Sequence, residues 1–171
     1  LHRNTAQGIV DALSNIFYKY GRATRVLEKI NLANPRWGAR DRNNVHLVTY
    51  EIIRWKNYYC FLSGTDNNLT DVPKLWKLLG TWLVVNSIEL PNWEEFTDID
   101  VKQIQANQKE KVTSEISKSI PNWLYERGEK ELSEKWDDEL GALNIQAKLI
   151  LRVNRIVISP KKLQQELYDI L

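Results

Sequence analysis

The 171 residues hold 43% hydrophobic and 27% charged side chains with a formal net charge of +2. A chain of this length fits one good core, or one domain of about 100 to 150 residues with an appendage, and excludes two large domains. It is too apolar to be disordered, and its charge is uneven: ten Lys/Arg against four Asp/Glu over residues 1–64, nine against sixteen over 65–140, and five against two over 141–171.

Ala6, Ile9, Val10, Leu13, Ile16, Phe17 and Tyr20 recur at helical spacing, which predicts an amphipathic helix over residues 3–20 stopped by Gly21. A second helix over 22–32 buries Val26, Leu27 and Ile30, and Asn34-Pro35-Arg36-Trp37-Gly38 then turns the chain. From Arg40 to Leu62 no Gly or Pro intervenes, and Val45, Val48, Ile52, Trp55 and Tyr59 trace one stripe, so a single long helix is expected at the centre of a bundle. The next helix, over 74–88, carries Leu75, Leu78, Leu79, Trp82, Leu83 and Val85 and suits burial on several sides.

Residues 94–118 are polar and weakly patterned around Ile99, Val101 and Ile104, as in short helices or a loosely packed connector. Pro121 can open a helix, since its missing N–H matters least there, with Ser119 contributing to the cap and Trp123, Leu124 and Leu132 facing inward. Leu149, Ile150, Leu151, Val153, Ile156, Val157 and Ile158 predict a strand, and Ser159-Pro160 an N-cap opening a helix with Leu163, Leu167 and Ile170. One strand cannot satisfy its own backbone hydrogen bonds, so a second, sheet-containing domain is expected to continue past the last residue.

No run approaches the roughly 18 to 20 apolar residues of a membrane span, and no basic start followed by an apolar stretch opens the chain; a cytoplasmic protein without membrane contact is expected. Cys60 is the only cysteine, which excludes an internal disulfide, and with only His2 and His46 beside it no metal site is expected. There is no phosphate-cradling Gly-rich loop, no helical pair of histidines and no nucleophile elbow, so no catalytic residue is assigned. Cys60, between aromatic residues, reads as a buried structural thiol, and His46 as an ordinary hydrogen-bonded histidine. Glu94-Glu95 and Asp137-Asp138-Glu139 read as solvated surface, because adjacent acids do not face each other.

The constellation that carries chemistry is Arg36, Arg40 and Arg42 beside Trp37. Guanidinium groups bind phosphates bidentately, and an exposed indole can stack on an unpaired base. Trp37 has a second reading as a core anchor. Arg3, Arg22 and Arg25, with Lys19, add positive charge around the first two helices, and Asp41 reads as an ion-pair or capping partner.

Ala39-Arg40-Asp41-Arg42 followed by Tyr50-Glu51-Ile52-Ile53-Arg54-Trp55 resembles the N-terminal region of the Sun/Fmu RNA cytosine-C5 methyltransferases. Ser119-Ile120-Pro121-Asn122-Trp123-Leu124, then Leu151-Arg152-Val153-Asn154 with Ile158-Ser159-Pro160-Lys161-Lys162-Leu163, agree in order and spacing. The resemblance implies an all-α, NusB-like helical RNA-binding domain over 1–118, a helical bridge over 119–147, and over 148–171 the strand-helix start of a small α/β subdomain preceding a methyltransferase domain. For the longer protein it implies methyl transfer from S-adenosylmethionine to cytosine C5 of ribosomal RNA through a covalent cysteine, with that machinery outside this chain. The implied partners of the chain are ribosomal RNA and its own C-terminal methyltransferase domain, and no cofactor is assigned to the chain itself. The RNA-binding residues expected are Arg3, Arg22, Arg25, Arg36, Trp37, Arg40 and Arg42, and the rival reading is a helical protein-interaction module.

Overall fold

The structure, a computed structural model, describes residues 1–145, 147–148 and 150–170. Ten α-helices run in chain order among the described residues: α1 (Arg3–Tyr18), α2 (Ala23–Ala33), α3 (Ala39–Arg54), α4 (Lys56–Ser63), α5 (Val72–Val85), α6 (Val101–Asn107), α7 (Ser114–Ser117), α8 (Asn122–Leu132), α9 (Trp136–Leu143) and α10 (Pro160–Ile170). Short 3-10 turns at Glu94–Phe96 and Ser133–Lys135 complete the set.

The amphipathic stripe of α1 is in place: Ala6, Ile9, Val10 and Leu13 are buried and rest against α2, α3 and α5. The helix ends earlier than the spacing suggested. Tyr20 lies outside it, 92% exposed, and it is Tyr20 rather than Gly21 that takes the left-handed backbone conformation, with φ 50°. Bulky residues rarely occupy that region, because Cβ crowds the following carbonyl.

The long third helix is two helices. Trp55 leaves helical geometry, at φ −102° and ψ 23°, and separates α3 from α4. The cause is visible two residues on, where the Asn57 N–H donates to Ser119 Oγ at 3.0 Å and Asn57 Nδ2 donates to the Ile120 carbonyl at 2.9 Å. A side chain from a later segment has taken a place in the helical ladder, which is a recognised origin of a helix break. Ser119 therefore docks on α4 and does not cap α8, whose N-cap is Pro121.

Centrality belongs to α5, not α3. Leu75, Trp76, Leu78, Leu79, Trp82 and Leu83 bury nearly the whole circumference of α5, which touches α1, α3, α4 and α6. Each such side chain taken from water contributes roughly 1.5–3 kcal/mol. The connector after α5 packs tightly rather than loosely: Phe96 and Ile104 are buried, and Ile99 fits against Gly80, where an added Cβ would stand 1.9 Å from Ile99 Cδ1. Its residues lack a helical stripe because each anchors singly.

A separate small cluster forms from Ile120, Trp136 and Leu140, with Leu124 and Tyr125 against it. Two residues expected inside face water, since Trp123 is 63% and Leu132 41% exposed. Among the described residues there is no strand. Of the expected strand, Leu149 lies outside the described residues, and Asn154 turns the chain: its side chain accepts from the Ile156 N–H at 3.1 Å and its carbonyl from the Val157 N–H at 3.0 Å. Ile150, Ile156 and Val157 are exposed, so the aliphatic composition is present without a partner strand to satisfy its backbone. The following cap is as expected, with Ser159 Oγ accepting from the Lys162 N–H at 3.3 Å, Pro160 opening α10, and Leu163 and Leu167 half-buried; the Ile170 side chain lies outside the described residues.

Candidate nucleic-acid interface

Helices α2 and α3 run antiparallel. Thr24 Oγ1 lies 3.3 Å from the Tyr50 hydroxyl near one end, and Asn31 Nδ2 lies 2.8 Å from His46 Nε2 toward the other. His46 thus has an amide partner. The turn between the helices carries Arg36, and the first turn of α3 carries Arg40 and Arg42. Asp41 closes that turn by accepting from the Gly38 N–H at 3.1 Å, which assigns it the capping role.

Arg42 lines a hollow of about 440 Å³ together with Glu28, Asn31, Leu32 and Pro35, so Arg36, next in chain to Pro35, stands at the same end of α2. Arg40 and Arg42, two positions apart, point to different sides of α3. Arg22 and Arg25 flank the opposite end of α2, about 16 Å away at 1.5 Å per residue over its length. All five arginines are exposed, and none forms an ion pair among the described residues.

The two remaining sequence candidates sit elsewhere. Arg3 pairs with Glu95 and lies over the Trp93 ring, 5.5 Å from its centroid, so its charge is already met. Trp37 is 6% exposed, packs against Gly8 and donates from Nε1 to Asn4 Oδ1 at 3.1 Å. Its indole is a core anchor and offers no free face for stacking. Reasoning from sequence overlooked exposed rings at the end of α1 and on α3: Tyr18 at 38%, Tyr20 at 92% and Tyr50 at 44%. The adjoining Gly21 could have signalled that Tyr20 falls past the helix end.

Cys60 is buried, and burial pushes its thiol up to about 11 from 9.0. A thiolate nucleophile needs the opposite shift. Because the folded protein holds this proton more tightly than the unfolded chain, its contribution to stability is full below about pH 9 and is lost as pH rises toward about 11. The urea midpoint is expected to fall across that window, and to fall less in Cys60→Ala. Tyr59, whose hydroxyl is also raised, first by burial and then by Glu51, adds to the slope at the alkaline end.

Among the described residues no group of three or more His, Cys, Asp or Glu could hold a metal ion, and no helix is long and apolar enough to cross a membrane.

A family model described as the ferredoxin-like domain of RsmF/B-like methyltransferases matches residues 120–170. That is 51 of the 171 residues. It links the C-terminal part of the chain to a methyltransferase family and begins where the small Trp136 cluster begins. Comparison with curated proteins gives no match, and comparison with solved structures gives none either.

Proposed function

We propose that this chain is the RNA-holding and substrate-positioning front module of an S-adenosylmethionine-dependent ribosomal RNA cytosine-C5 methyltransferase of the Sun/Fmu kind, with a NusB-like helical bundle preceding the start of a ferredoxin-like subdomain. One observation carries it: five exposed arginines without ion-pair partners line α2, the following turn and the start of α3, on the same chain as a segment similar to a methyltransferase-family domain. Cations left without acidic partners attract phosphate by Coulombic capture and counterion release. Arg36 and Arg42 would hold one stretch of backbone and Arg22 and Arg25 another, with Arg40 reaching toward a neighbouring strand.

Cys60 does not fit the covalent step that the resemblance implies. Cys60 is buried and holds its proton at neutral pH. Methyl transfer would then fall to another domain of such an enzyme. The exposed Leu143, Ile145, Ile150, Ile156 and Val157 of the C-terminal segment would be covered by that domain.

Ultraviolet crosslinking of the chain to ribosomal RNA fragments, with the modified peptides mapped, tests this reading. Adducts are expected between residues 18 and 54. Adducts confined to α8–α10, or none, would move the assignment to a protein-interaction module.

A further inference from the structure

We infer that Tyr20 is a base-stacking residue, so that the RNA held by this face carries an unpaired nucleotide at the α1–α2 turn. The inference rests on the RNA-holding reading above. The left-handed backbone of Tyr20, φ 50°, closes the end of α1, with the Gly21 N–H donating to the Asn15 carbonyl at 3.2 Å, and it turns out a ring 92% exposed to water that the fold does not use. The Tyr20 ring has no aromatic or hydrogen-bonding partner among the described residues. A bare aromatic ring at a helix end whose backbone would suit glycine better points to a ligand for the ring.

The surroundings say which ligand. Lys19, Arg22 and Arg25 lie within five residues of Tyr20 and form no ion pair among the described residues. The Thr24–Tyr50 contact at 3.3 Å sets a second exposed ring against the first turn of α2. Exposed rings interleaved with unpaired cations match a strand whose bases stack while its phosphates meet guanidinium groups. A duplex does not fit, because its bases have no free face and an A-form helix is read by shape and backbone. The substrate class is a single strand or loop.

The test uses the whole chain and a single-stranded RNA of about 12 nucleotides carrying 2-aminopurine, beside a hairpin of paired RNA. Tyr20→Gly removes the ring and suits the left-handed backbone, so its melting temperature should equal or exceed that of the native chain. Tyr20→Gly is expected to bind the single strand roughly ten-fold more weakly, with an unchanged salt slope, an unchanged affinity for the hairpin and no aminopurine quenching. Tyr20→Phe keeps the ring and should stay within about two-fold of native. Native-like single-strand binding and quenching by Tyr20→Gly would overturn the stacking role while leaving salt-dependent RNA capture standing. No RNA binding by the native chain would overturn both readings together.

Discussion

Replacing Trp37 with alanine is expected to lower the unfolding free energy by about 3–5 kcal/mol, the usual range for a buried Trp, against a total of about 5–15 kcal/mol for a domain. The indole is nearly enclosed, fills the space opposite Gly8 and satisfies Asn4 through its Nε1–H. Denaturant unfolding should show the loss in the midpoint. A second substitution separates packing from any other role. In the native chain, a Cβ at Gly8 would stand 2.3 Å from Trp37 Cη2, so Gly8→Ala should destabilise by about 1–3 kcal/mol. In the Trp37→Ala background the obstruction is gone, and Gly8→Ala should instead stabilise by about 1 kcal/mol through helix propensity. A reversal of sign marks direct coupling between the two positions. Equal effects in both backgrounds would contradict the packing described.

The second large effect concerns binding. Changing Arg36, Arg40 and Arg42 together to alanine removes three exposed charges that take part in no ion pair among the described residues, so folding should be preserved. Exposed substitutions of this kind usually move stability by less than about 0.5 kcal/mol. If each arginine neutralises one phosphate, the slope of log affinity against log salt should shrink by about 2, at roughly 0.7 per contact on a single strand. At about 0.1 M salt that corresponds to a loss of roughly a hundred-fold. Arg40 is the informative member of the three, because its position on α3 differs from that of Arg42. A single Arg40→Ala with native affinity would place the RNA wholly on the α2 side.

The legible parts of this molecule were those where a repeated physical requirement writes itself into the chain. Val26 and Leu27 on α2, and the all-round burial of α5, follow from spacing alone. The break at Trp55 was not legible, since it depends on Ser119, a residue 62 positions from the Asn57 N–H that it accepts from. Nor was the tight packing after α5, where Phe96, Ile99 and Ile104 insert one at a time with no period. The strand signal over 150–158 recorded a preference of composition, but a strand needs a neighbour, and Asn154 turns the chain among the described residues. In the candidate site, charge was readable and exposure was not. The sequence grouped Arg3 and Trp37 with the other candidates, yet Glu95 meets the first and the core encloses the second. Tyr20 was hidden for the converse reason, because its spacing from Phe17 imitates a buried stripe.

Titration of the native chain and the Arg36→Ala, Arg40→Ala, Arg42→Ala variant with ribosomal RNA fragments across a salt series shows whether the arginine-bearing α2–α3 surface holds RNA by its phosphates. Steep salt dependence is expected for the native chain and a slope shallower by about 2 for the variant. Equal affinities with equal, shallow slopes would contradict it.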